Sequence, residues 1–322
     1  MENSIETTTY SISGIFEVIK ANFNFIILSF IIIAVSSVLY ALTLPNIYTA
    51  NAVLQPASIP SSSNKGGSAG GMGGSGIADF VGSIAGGSSS DKNTVKALKI
   101  IESKNFFLSY YNNDEYLAAF EAEQSYDHAT KKILFDGTKY NSLKKEWMPE
   151  QKPNFDQAHS NFLSVLAIDH DRLDGFITLS LDHISPQVAT YWLESIITDS
   201  NTIIKNLETA RASAQAAYFE SKLNTTQIQA LRQVISGLLL QTYETMAFAS
   251  ITDEFAFEYI DMPLVPERKS KPSRGFIVIF LCISIGILEF LILVFLSALG
   301  KKVCLSFRPM SLKLVSFDNP IT

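Results

Sequence analysis

The residues with the right type for chemistry are mostly carboxylates. The acids Glu121/Glu123 and Asp253/Glu254 are close enough in sequence to suggest a glycoside-hydrolysing pair, with one carboxyl as acid and the other as base or nucleophile. Carboxylates this common usually belong to a solvated face, so the spacing alone assigns no catalysis. The four histidines, His128, His159, His170 and His183, form no HExxH or His-x-x-His pattern, and no cysteine accompanies them, which argues against a metal. The run from Asp169 invites a calcium-loop reading. Counted from Asp169 as position 1, however, Asp174 occupies the obligate glycine position and Ser180 the place of the bidentate Glu. No GxSxG elbow is present, and the glycine-rich tract lacks GxxxxGK[ST]. The reading is therefore no catalytic residue, no metal and no cofactor.

One acid stands apart. Glu289 lies within Phe276–Leu299, an apolar run with no other charge. A carboxylate at mid-span costs about 2.5–3.5 kcal/mol on insertion scales unless it is protonated or paired. It is either a protonated passenger or a packing contact, and the contact would face another helix rather than lipid. Ser36 and Ser37 of an earlier apolar run are candidate partners, and the small Ser284 and Gly286 would permit close approach.

That earlier run, Phe23–Leu44, has no charge and would form roughly 33 Å of helix, enough to span a bilayer. It is too long for a signal-peptide core. Its leader carries Glu2, Glu6 and Glu17 against Lys20, the wrong sign for a signal peptide, so an uncleaved span is expected. The expected organisation is a tail at 1–22, a first span at 23–44, a domain at 45–274, a second span at 275–299 and a tail at 300–322. Lys301, Lys302, Arg308 and Lys313 against Asp318 favour a cytoplasmic C-terminus, whereas Arg268, Lys269, Lys271 and Arg274 before the second span oppose it. The net charge of −6 belongs to the central domain, where 26 acids stand against 20 bases, which argues against nucleic acid as a partner.

Within the domain, Tyr48–Gln55 reads as a strand, and 57–91 as a Gly/Ser-rich flexible loop. Met72, Ile77, Phe80, Val81 and Ile84 could instead rest that loop on a membrane or partner. A helix is expected from Ser90-Asp91 through Phe107, with Val95, Leu98, Ile100 and Ile101 on its core face. Glu121–Pro153 reads as short helix and loop. Phe162–Asp169 and Phe176–Asp182 read as a β-hairpin turned at Asp174-Gly175. Ser185-Pro186 opens a long helical region at 186–249, broken near Asn224, with Thr226 capping the second helix. Tyr191, Trp192, Ile196, Ile203 and Leu207 form a stripe that needs subunit neighbours. Glu254–Asp261 alternates as a strand, and Pro263, Pro266 and Pro272 stiffen the approach to the second span.

The order of these segments resembles the Wzz-type chain-length determinants, polysaccharide co-polymerases of Gram-negative inner membranes, from about Phe16 to Leu299. LPNIYTANAVLQP, SPQVATYWLESIITDSNTIIKN and LRQVISGLLLQTYETMAFA carry the likeness, with DEFAFEYIDMPLVPERKSKPSRG before the second span. Its most specific part is the proline motif, matched here by Pro263, Pro266, Ser270, Pro272 and Gly275. The resemblance implies an α+β fold, with two transmembrane helices flanking a periplasmic α/β base from which long helices protrude. It implies a non-enzymatic homo-oligomer among membrane lipids that acts with a Wzy polymerase on a lipid-linked glycan and sets O-antigen length. No kinase module is recognised, which favours the O-antigen class. The alternative is a periplasmic adaptor of a polysaccharide export machine.

Overall fold

The computed structural model describes residues 23–57, 89–171, 173–298, 303–304 and 315–316. It divides into a central unit, Ile47–Lys269, and a terminal unit made of Met1–Asn46 and Ser270–Thr322. The Gly/Ser-rich loop lies outside the described residues except for its two ends. The first helix, α1 (Phe23–Thr43), belongs to the terminal unit.

The central unit is α+β. Its sheet contains β1 (Tyr48–Pro56), β6 (Leu166–His170), β7 (Ile177–His183) and β8 (Phe257–Asp261) in the order β6-β7-β1-β8, antiparallel throughout. Alternation sets one buried face: Tyr48, Ala50, Ala52 and Leu54 of β1 beside Ile177, Leu179, Leu181 and His183 of β7. The small side chains of Ala50 and Ala52 leave room for the helices that cover this face, α2 (Ser89–Ile101) and α6 (Pro186–Thr225).

Between α2 and α6 the chain forms α3 (Lys104–Tyr111), α4 (Asp114–Glu121) and α5 (Phe155–Val165). The helix expected to run through Phe107 is therefore two. Ser103 stops the first and caps the second, accepting from Phe106 N at 3.2 Å, and Val95 is exposed rather than in the core. The segment read as short helix and loop forms two antiparallel ribbons, β2 (Glu123–Asp127) with β3 (Lys132–Phe135) and β4 (Tyr140–Asn141) with β5 (Glu146–Trp147). The first strand of the expected hairpin begins at Leu166. Phe162 belongs to α5, where it is buried with Ala158 and His159 on one helical face behind an Asn154 cap 2.8 Å from Gln157 N. A short apolar run does not by itself distinguish helix from strand. The hairpin turn is as read: Gly175 has φ 76°, and its N–H donates to Asp171 O at 2.8 Å.

α6 starts at its Ser185 cap with Pro186 in the first turn and runs 40 residues, about 60 Å. Thr226 ends it, with its N–H on Lys222 O at 2.9 Å, so it does not cap the second helix. That helix, α7 (Gln229–Ile251), has no side-chain cap bond. Through Ile204, α6 is buried on the sheet; beyond it only Ala212 and Ala216 are buried, as α6 pairs with α7. β8 begins later than its alternation suggested, at Phe257, because Phe255, Ala256 and Phe257 are all buried.

The last long helix, α8 (Arg274–Ala298), packs antiparallel to α1 within the terminal unit. Both helices are long and apolar enough to cross a membrane, and both expose large apolar side chains such as Phe30, Ile31, Phe280 and Ile283. A lipid solvent accepts that surface, and helices satisfy their own backbone polar groups within it.

Candidate functional site

The terminal helix pair contains the polar contacts that sequence reading sought. At one end, Arg274 Nη2 donates to Leu44 O and to Asn46 Oδ1, each at 3.0 Å. Farther along, Ser37 Oγ lies 3.9 Å from Cys282 Sγ. Next, Ser29 Oγ reaches Glu289 Oε1 at 2.7 Å and Oε2 at 2.9 Å, while also lying 2.9 Å from Ile26 O. The pairing runs Leu44/Arg274, Ser37/Cys282, Ser29/Glu289, so a step back along α1 matches a step forward along α8.

This register corrects the expected partners of Glu289. It meets Ser29, not Ser36 or Ser37, because Ser37 lies about two turns nearer the Arg274 end and Ser36 is exposed. Ser284 is also exposed, and a Cβ at Gly286 would meet nothing within 4 Å, so neither small residue is a point of close approach here. Ser29 could be picked out only once the contact of Arg274 with Leu44 had set the alignment. Ser29 and Glu289 each stand fifteen residues from Leu44 and Arg274, the ends at which an antiparallel alignment would start.

The proline motif is divided between the units. Pro263 and Pro266 are half-buried in the central unit; Ser270, Pro272 and Gly275 belong to the terminal one, with Lys271–Pro272 cis and Gly275 in the first turn of α8.

The stripe assigned to subunit neighbours splits in two. Trp192 and Ile196 are 2% and 0% exposed in the chain's own core, where Trp192 stacks on Phe120 with ring centroids 5.3 Å apart. They do not face a neighbouring copy. At 3.6 residues per turn a broad apolar stripe has an inner and an outer edge, and only Tyr191, Ile203 and Leu207 lie on the outer one. Tyr191 stacks on Tyr116 with centroids 5.9 Å apart, and their hydroxyls meet at 2.5 Å. Burial and that contact push Tyr116 up to about 12. The exposed apolar surface continues along the helical hairpin through Tyr218, Ile228, Leu231, Leu240 and Tyr243.

Three of the four acids that suggested hydrolysis lie beside side-chain partners of the same unit. Burial raises the Glu121 carboxyl, which accepts from Asn161 Nδ2 at 2.9 and 3.1 Å. Glu123 lies 2.5 Å from His183 Nε2, whose ring also accepts from Ser185 N and donates to Ala119 O. Asp253 is fully exposed and pairs with Lys205 at 2.8 Å. Among the described residues no group of three or more His, Cys, Asp or Glu is placed to hold a metal ion.

Sequence reading missed Asn201. This residue of α6 is 3% exposed; its Oδ1 accepts from Ala256 N and Phe257 N, both at 2.8 Å, and its Nδ2 donates to Phe257 O at 3.0 Å. Thr94 of α2 donates to Ala256 O at 3.0 Å, so two helices hold the entry to β8. The signal was a lone amide on an apolar face, which marks a buried partner without saying which.

The class is a two-unit protein: an α+β domain set between two apolar helices long enough to span a membrane. Within it, residues 9–105 match the Wzz family model, described as chain length determinant protein, so the resemblance read from segment order holds over that stretch. No curated protein matches the chain. Among solved structures, a full-length bacterial polysaccharide co-polymerase is similar at 12% identity and TM-score 0.33, over 88% of this chain and 97% of that one. A fragment of WzzB, the polysaccharide co-polymerase of Salmonella Typhimurium, is similar at 12% identity and TM-score 0.24, over 70% of this chain and 100% of the fragment. Likenesses at that level assign no activity.

Proposed function

We propose that this chain is a non-enzymatic regulator of surface polysaccharide chain length, of the O-antigen kind. In this reading α1 and α8 cross a Gram-negative inner membrane and the central unit is periplasmic. Copies assemble through the outer edge of α6 and α7 into a scaffold that acts with a Wzy-type polymerase on a lipid-linked glycan. The observation that carries the reading is the chain-length-determinant match over residues 9–105, a stretch that takes in α1, β1 and α2. Two features support it: two lipid-compatible helices, and exposed apolar residues along a helix about 60 Å long.

The test is a gel ladder of surface polysaccharide from cells with and without the gene, complemented by wild type and by Glu289→Ala. Deletion is expected to abolish the modal length cluster while polymer is still made, and wild type to restore it. An unchanged ladder in a strain with no second length regulator would overturn the reading and favour the export adaptor. If Glu289→Ala reaches normal membrane levels and fails to restore the cluster, the Glu289 carboxyl group is needed for the activity.

A further inference from the structure

We infer that Ile260–Lys269 is a bilayer-docking strap, whose apolar residues enter the interfacial zone of a phospholipid membrane and whose bases meet anionic lipid phosphates. Four large apolar side chains fall within six residues and face solvent: Ile260 is 50% exposed, Met262 60%, Leu264 75% and Val265 48%. A β-bulge accounts for the first. The β1–β8 register passes from Leu54↔Tyr259 to Val53↔Asp261, which leaves Ile260 as an extra residue. Pro263 and Pro266 then fix φ and lack the N–H that a ladder would use, so the segment neither coils over its own apolar residues nor extends the sheet. Exposed Arg268 and Lys269 come directly after, with Glu267 beside them.

Apolar side chains next to bases form an interfacial anchor, in which the first bury among acyl chains and the second gain from anionic headgroups. Two observations select a bilayer as the occupant. The chain enters the sheet at Tyr48, and β8, antiparallel to β1, runs back toward that end and leaves the sheet at Asp261, opposite Val53. Only four residues then separate Lys269 from Arg274, where the apolar α8 begins, a covalent tether of at most roughly 18 Å.

The inference rests on α8 crossing a bilayer and is independent of any role in glycan length. It can be tested on the full chain carrying Cys282→Ser and Cys304→Ser, with a single nitroxide-labelled cysteine replacing Leu264, Leu173 or Ile283. The chain is reconstituted in phosphatidylcholine vesicles with or without phosphatidylglycerol. Collisions with oxygen, which partitions into lipid, are compared with those of a water-soluble nickel chelate. Leu173, 95% exposed in the hairpin turn, is the water reference, and Ile283 on α8 is the lipid reference. The Leu264 label is expected to show an oxygen-to-nickel ratio several-fold above that of Leu173. Arg268→Glu with Lys269→Glu is expected to lower that ratio only in the phosphatidylglycerol vesicles. A ratio equal to that of Leu173 overturns the strap. Shielding of the label from both reagents also overturns it, by showing a protein neighbour such as a second copy. A charge reversal without effect in anionic vesicles removes the phosphate contact. A water-like ratio at Ile283 removes the membrane span and the strap with it.

Discussion

Asn201→Ala tests how the strand leading towards the second apolar helix is held. The substitution removes one acceptor serving two N–H groups, on Ala256 and Phe257, and one donor to Phe257 O, where both residues are 0% exposed. Each buried group left without a partner costs about 1–3 kcal/mol, and two N–H groups at mid-range give about 4 kcal/mol. That is a large part of the 5–15 kcal/mol that holds a typical domain, and for a unit of this size it corresponds to a fall of about 10 °C in Tm. The assay is thermal unfolding of the full chain in detergent, monitored by the fluorescence of its two tryptophans, Trp147 and Trp192, the second of which is 2% exposed. Thr202→Ala is the control: its hydroxyl donates to Thr198 O on the exposed face of the same helix, and a change of under about 0.5 kcal/mol is expected. Equal midpoints for Asn201→Ala and Thr202→Ala would refute the claim that the amide satisfies the entry to β8.

The antiparallel register of the terminal helices predicts that Ser37→Cys, in a Cys304→Ser background, forms a disulfide with Cys282 on oxidation in membranes, whereas Ser36→Cys does not; the reverse result on a non-reducing gel would move the register by one residue. Trp192→Ala is expected to cost about 3–5 kcal/mol by opening a cavity beside Phe120 and Tyr110, with no change in assembly mass except through unfolding. Leu207→Glu, at a position 50% exposed, should leave the thermal midpoint within about 2 °C and reduce the oligomer seen by light scattering; loss of stability with an intact assembly would contradict the inner and outer assignments. At alkaline pH, Tyr116 and Tyr259 are pushed up from 10.0 to about 12, in both cases first by burial, and Tyr110 is also raised, first by burial and then by its hydrogen bond to Asp199. Below pH 10 these groups keep their protons in both states, so stability is unaffected. As pH rises from 10 through 12 the unfolded chain loses protons that the folded one keeps, so stability falls, and ultraviolet tyrosinate absorbance should show these three tyrosines ionising late or on unfolding.

Glu289 shows where sequence reading reaches its limit. An acid inside an apolar run demands a partner, because lipid offers none, and that much comes from residue types alone. The choice of Ser29 over Ser36 or Ser37 depends on how α8 is aligned against α1, which is a property of two helices together. The same division runs through α6. Ser185, Pro186 and the uninterrupted helical pattern mark where it starts and how far it runs, since caps and periodicity act within a few residues. They do not divide a broad stripe into Trp192 and Ile196, turned inward, and Tyr191, Ile203 and Leu207, turned outward.

By itself the sequence determined the two apolar helices, the sheet's main strands, the Gly175 turn and the long helix, because each depends on local composition, period or a required φ. Only the tertiary structure decided that Phe162 joins a helix, that Ser103 divides another, and that Asn201 and Thr94 hold the entry to β8. Those outcomes turn on which distant groups bury one another's surface and satisfy one another's hydrogen bonds, and residues as far apart as Asn201 and Phe257 meet only once the chain has folded.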